Sequence, residues 1–224
     1  MKRIIVLLII VASVNSFAQE TIEAQRPTMT ESNTVIAPKV IQAESGATFI
    51  NEGFDSNTFI RFGITERLEF RLATSFDSPT LDLSGKVFIW EGKGAIPGLS
   101  FQLDYNPLWG RQNYTLSATG ALGEKFFYTL NAGNDYDWYG LGLIGFSYRK
   151  GCVFAEYKYH ENYQQLHCGV TYILKNEIQF DINGGLIDYT TPYIGVGLAF
   201  RLKPFESKNN VNYSPKADIP MLNE

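Results

Sequence analysis

The sequence predicts an all-β fold, an antiparallel up-and-down transmembrane β-barrel of about 12 strands. Three observations predict it: an apolar leader suited to export, period-two alternation along most of the chain, and no helix to cover an apolar face. The alternation is plainest at residues 67–76. Leu68, Phe70, Leu72, Thr74 and Phe76 fall on one face of a strand, and Glu69, Arg71, Ala73 and Ser75 on the other. Side chains alternate across a strand with period two, so one face is oily and the other charged. A soluble sandwich can carry the same pattern with its oily face inward. The export leader and the repetition of such strands favour a barrel with the oily face turned to lipid.

Residues 1–18 read as a secretory signal. Lys2 and Arg3 form the positive region, 4–14 the apolar region, and Ser16-Phe17-Ala18 the small-residue cleavage site. The apolar run is too short to span a bilayer, and no later run of about 18 apolar residues occurs. A membrane form of this chain therefore has to be a barrel. Composition agrees, with 14% aromatic and 19% charged residues. The formal net charge of -4 excludes a basic nucleic-acid-binding class, so no nucleic acid partner is expected.

Residues 19–39 are polar and without period, and contain Pro27 and Pro38. They form an irregular lead-in, which either hangs in the periplasm or folds up into the barrel mouth as a plug. The barrel covers 40–202. Strands are expected near 40–50, 57–64, 68–76, 80–90, 98–105, 113–121, 125–132, 138–149, 152–160, 165–174, 177–184 and 192–202. In the last, Ile194, Val196, Leu198, Phe200 and Leu202 oppose Gly195, Gly197, Ala199 and Arg201. Tight links such as Lys150-Gly151 alternate with longer ones such as 106–112, 132–137 and 161–164. Outer-membrane barrels have short periplasmic turns and longer outer loops, so both ends of the barrel fall in the periplasm. The 91–97 link breaks this alternation. Trp90, Trp109, Trp138 and Tyr193 near strand ends suit the membrane interfaces. Residues 203–224 are polar and unpatterned, a tail after the barrel.

Arg26-Pro27, Thr30-Glu31-Ser32, Pro38-Lys39 and Gln42-x-Glu44-x-Gly46, followed by Arg61-x-Gly63 and Glu69-x-Arg71, make a recognisable set. Through them the chain resembles a family of outer-membrane transporters named for the meta-pathway of phenol degradation. Gln25, where an acid is expected, and Val40, where glycine is expected, depart from that pattern. The resemblance implies an outer-membrane β-barrel with a transport role, with no substrate carried over.

Cys152 and Cys168 are the only cysteines. A turn around Asn162 sets Cys168 opposite about residue 156, too far from Cys152 to bridge, so both are expected as free thiols. His160 and His167 lie on the two arms of that hairpin without a ligand set for a metal. An outer-membrane lipid hydrolase needs a serine and a histidine on neighbouring strands. Ser147 and His160 fall near opposite ends of theirs, so no enzyme, no catalytic residue, no metal and no cofactor are expected.

The candidate solute path is the charged inner wall. Turns centred at Glu66, between Glu52 and Gly53, between Ser78 and Pro79, and around Ala95 set Glu44, Arg61, Arg71, Lys86 and Asp104 in one row, with Glu69 a step from Arg71. Like charges directly across strands are unfavourable, so Arg61 beside Arg71 needs Glu44 and Glu69 close by, or a bound anion. Two functions follow. One is a channel or transporter for small solutes, anionic or aromatic ones among them, favoured by a positive surplus at a constriction. The other is a closed structural or docking barrel with a fully paired interior. The expected partners are membrane lipid and a small solute; the oligomeric state is left open.

Overall fold

The structure, a computed structural model, describes residues 22–51, 53–75, 80–175 and 177–202. The expected signal, the tail from 203 and the turn at Ser78-Pro79 lie outside these residues.

Twelve antiparallel strands follow one another in order: β1 (Ile41–Ile50), β2 (Gly53–Thr65), β3 (Leu68–Ser75), β4 (Thr80–Trp90), β5 (Gly98–Asn106), β6 (Arg111–Ala121), β7 (Phe126–Asp135), β8 (Asp137–Tyr148), β9 (Gly151–His160), β10 (Tyr163–Lys175), β11 (Ile178–Ile187) and β12 (Thr191–Leu202). Each pairs with the next, and β12 closes on β1 with Ile41 opposite Leu202. Closure removes the sheet edges, so ladder hydrogen bonds satisfy the strand backbone without water. The first and last strand ends share one mouth, here the terminal mouth; the other is the far mouth.

The molecule is inside out. Phe49, Leu130, Phe180 and Val196 point outward and are exposed, whereas most buried side chains among the described residues are polar. Such a surface is stable only against lipid, where apolar side chains lose no hydration. Strand β8 keeps the in-out alternation but is apolar on both faces: Leu141 and Leu143 are buried inside while Ile144 and Phe146 face out.

The expected contrast between short and long links is not what forms. Strands β5 to β10 run further than their alternation indicated, so the links expected to be long are only 107–110, 136 and 161–162. The longest described link is 91–97, at the terminal mouth. It is tied down by a Lys93–Ile96 bridge and by Ala121 N–H donating to the Gly94 carbonyl.

Trp90, Trp109 and Trp138 are exposed as expected for interface residues, but Tyr193 is turned inward and buried. It shares the face of Gly195 and Arg201, so the parity of β12 decides its direction, not its place near a strand end. Both cysteines are free. The hairpin pairs His160 with Tyr163, so Cys168 lies opposite Ala155, one residue from the expected position. Cys168 is exposed on the outer face, whereas Cys152 contacts Thr171 inside.

Candidate functional site

The lead-in occupies the lumen. Ile22, Gln25, Arg26, Thr30, Asn33, Ile36 and Val40 are all buried there. Its two arms bond to each other, Gln25 Nε2 to Ser32 Oγ at 2.9 Å and Thr34 Oγ1 to Glu23 Oε1 at 2.9 Å. The segment makes no strand ladder with the wall except where it joins β1. There Lys39 N–H donates to the Gly63 carbonyl and Gly63 N–H to that of Val40. This approach needs glycine, because a Cβ on residue 63 would sit 2.0 Å from the Ala37 carbonyl oxygen.

Wall side chains satisfy the segment's main chain. Glu44 accepts from Arg26 N–H at 2.9 Å, Glu156 from Met29 and Thr30 N–H at 2.7 and 3.0 Å, and Asn131 from Glu31 N–H at 2.7 Å. Thr119 accepts from Asn33 N–H at 3.0 Å and Glu69 from Ile36 N–H at 2.7 Å. In return Lys86 donates to the Ser32 carbonyl at 2.5 Å and Gln179 to that of Arg26 at 3.1 Å. A buried peptide group left unpaired costs as much as a lost hydrogen bond, so these side chains permit irregular backbone inside a barrel.

The charged residues expected along the wall all face the lumen, but not in one row. Arg61 does oppose Arg71. Gln42, not Glu44, lies opposite Arg61, because the β1–β2 hairpin turns one residue earlier than expected, pairing Ile50 with Gly53. Lys86 opposes Glu69 rather than Arg71, and Asp104 opposes Ser84 rather than Lys86. Ile64 does not pair with Leu68, since a bulge places Thr65 there. Each shift between strands moves a partner by two residues, which changes level and preserves face.

The cluster that forms is paired. Glu69 is fully buried between the two guanidiniums, 2.7 Å from Arg61 Nε and 2.5 Å from Arg71 Nε. Glu44 reaches Arg61 at 3.3 Å. The third carboxylate is Glu31 of the lead-in, 2.8 Å from Arg71 and 3.3 Å from Lys86. The expected positive surplus is therefore met by a residue of the chain itself. Burial pushes the Glu31 carboxyl up, but Arg71 and Lys86 outweigh it and hold it well below the usual carboxylate range. Asp104 is instead held by Gln102 Nε2 at 2.8 Å.

A second anchor lies across the lumen on β9 and β10. Glu156 accepts from the Thr30 hydroxyl as well as from the two amides, and contacts His167 Nδ1 at 2.5 Å. His167 Nε2 meets Asn183 Oδ1 at 3.2 Å. His160 is separate, stacked on Tyr163. Ser147 pairs with Cys152 near the terminal mouth and His160 with Tyr139 near the far one, so the two do not meet.

Arg26 has its own seat. Its guanidinium lies over Gly46 and Gly197, which pair across β1 and β12. A Cβ on Gly46 would sit 2.0 Å from Arg26 Cζ, and one on Gly197 2.7 Å from Nε. Arg26 donates to Asn57 Oδ1 at 2.5 Å and lies 4.0 Å from Asp181. Beyond the segment, toward the far mouth, is a cavity of about 280 Å³. Residues 25–29 contribute to its lining, with Thr48, Asn57, Phe59, Gln165, His167 and Tyr193 of the wall.

The chain matches no protein-family model and no curated protein. Among solved structures it is similar to the KdgM porin, with a TM-score of 0.59 at 10% identity, over 71% of this chain and 98% of that one. The fold is that of an outer-membrane porin. A structure of the KdgM porin in complex with disordered oligogalacturonate gives the same values. Acinetobacter baumannii Omp33 is similar with a TM-score of 0.47 at 12% identity, over 72% of this chain and 97% of that one. A closed barrel of this kind, with an apolar outer face, resides in the outer membrane.

Residues 26–46 supply one side of this site, and the charged residues of β2 and β3 the other. Arg26, Glu31, Gln42, Glu44, Arg61, Glu69 and Arg71 form the contacts between segment and wall. Sequence reasoning placed Glu44, Arg61, Glu69, Arg71, Lys86 and Asp104 on the path and missed Glu31, Glu156, Gln42, Thr119, Asn131 and Gln179. Arg61 opposite Arg71 was the signal that acid must lie close by.

Proposed function

We propose that this protein is an outer-membrane channel for small solutes, with the barrel lumen as the path. One observation carries the reading. The wall side chains do not fill the bore, which holds a separate stretch of polypeptide and a cavity of about 280 Å³ beyond it. Barrels of about eight strands are filled by their own side chains, whereas wider ones enclose ligands or water. The residues along the path are Glu44, Arg61, Glu69, Arg71, Lys86 and Asp104. Lys86 and Arg71 share Glu31 of the lead-in, so a bore without that segment favours small anionic solutes at their level, aromatic acids among them.

The paired network and the filled lumen favour a second reading, a closed structural barrel. Liposome swelling with the full-length protein separates the two. The channel reading expects swelling with sugars, amino acids and aromatic acids, fastest for the small acids. Absence of swelling with every solute from both the full-length protein and a variant lacking residues 22–38, each shown to be folded by heat-modifiable gel migration, leaves the structural barrel.

A further inference from the structure

We propose that residues 22–40 are a detachable plug, an autoinhibitory segment whose withdrawal toward the terminal mouth opens the bore. The inference rests on the channel reading above. Three observations carry it.

Most of the wall's ion pairs survive without the segment; Lys86 loses Glu31 and Asp181 loses Arg26, and both then face the water that refills the bore. Arg61 and Arg71 keep Glu69, Arg61 keeps Glu44, and Glu156 keeps His167. Withdrawal leaves these buried ions with partners, so it avoids the large penalty of an uncompensated buried charge.

The segment is held by interactions that water can replace. Most of its hydrogen bonds run to side chains, and these, like the Glu31 pairs to Arg71 and Lys86, can exchange for water as it refills the bore. It enters the sheet ladder only beside Gly63. The join to β1 is a local turn, with Val40 N–H donating to the Ala37 carbonyl and Lys39 at φ 63°. That turn tethers a loop whose arms are bonded to each other through Gln25, Ser32, Glu23 and Thr34. The loop can therefore leave as a unit.

The segment lies across the path. Its contacts reach β1, β3, β4, β6, β7 and β9 through Glu44, Glu69, Lys86, Thr119, Asn131 and Glu156. A solute entering the far cavity meets residues 25–29. The segment thus stands between that cavity and the terminal mouth.

The test uses the full chain with Cys152→Ser and Cys168→Ser, adding Asn33→Cys with Thr119→Cys. Asn33 N–H donates to Thr119 Oγ1 at 3.0 Å, which sets the two residues side by side. A second pair, Ser32→Cys with Ser100→Cys, locks the same segment to β5, where Ser100 Oγ is 3.4 Å from the Ser32 carbonyl. Planar-bilayer recordings compare oxidised and reduced protein. The plug predicts conductance when reduced, loss of it when oxidised, and recovery with reductant. Equal conductance in both states overturns the plug and leaves the channel standing. Silence in both states, for correctly folded barrels, overturns the channel and the plug with it. Failure of both pairs to cross-link means that the segment does not dwell in the bore, which also overturns the proposal.

Discussion

Glu69→Ala is expected to destabilise the barrel by about 3–5 kcal/mol, the usual cost of removing one partner from a buried ion pair. Glu69 is fully buried, and both oxygens are committed: Oε1 to Arg61 Nε and Arg71 Nε, Oε2 to Arg61 Nη2 and the Ile36 amide. Alanine leaves Arg61 opposite Arg71 with no charge between them. Like charges across a strand pair repel, and neither guanidinium can lose its proton to escape. Glu44 and Glu31 lie at the outer sides of the pair and cannot fill the gap. The temperature of the heat-modifiable gel shift should fall steeply for Glu69→Ala and less for Glu69→Gln, which keeps an oxygen acceptor. An unchanged transition would mean that the arginines are solvated, not buried.

Phe180→Arg and Leu72→Arg are expected to block assembly. Phe180 lies on β11 between Tyr172 and Leu198, and Leu72 on β3 between Ile60 and Leu83. All of these face outward, and Phe180 is 45% exposed to what is lipid in the membrane. An arginine at mid-strand on the lipid face costs about 2–4 kcal/mol. Thr48→Arg is the control. Thr48 lines the far cavity and opposes Asp55, so the same charge there faces water and a carboxylate. Folding yields in lipid vesicles should be lost for the first two and kept for the third. Equal yields for all three would mean that the outer face does not meet lipid.

The strands were legible because a barrel wall repeats one rule. Each strand must offer lipid an apolar face, and that rule marks nearly every stretch of β1 to β12. Face was legible for the same reason: Arg61, Arg71, Lys86 and Asp104 all point inward as their parity requires. Level was not legible, because it depends on where each turn closes. The β1–β2 turn closes one residue earlier than the spacing suggested, which moves Glu44 from opposite Arg61 to opposite Phe59. The link lengths failed for a related reason, since Asn134, Asp135 and Asp137 continue their strands although polar residues read as loop.

The lead-in was legible only as an alternative. Residues 22–40 have no period because they match no repeating surface; their partners come from strands scattered over the whole chain. What could be read was the need for acid beside Arg61 and Arg71. Glu44 and Glu69 meet part of it, Asp104 goes to Gln102 instead, and Glu31 stands beside Arg71 and Lys86. Glu156 gave no comparable signal, since its partners are main-chain amides and a hydroxyl of the lead-in, and His167.

Hydrogen exchange on the full-length protein folded in detergent micelles tests most directly that the lead-in fills the lumen. The amides of Arg26, Met29, Thr30, Glu31, Asn33 and Ile36 each donate to a wall side chain inside the lumen. They should exchange far more slowly than a free peptide of the same sequence, and faster than the strands, because the segment leaves without unfolding the barrel. Exchange of these amides at free-peptide rates, while β1 to β12 stay protected, would place the segment outside the barrel and contradict the account.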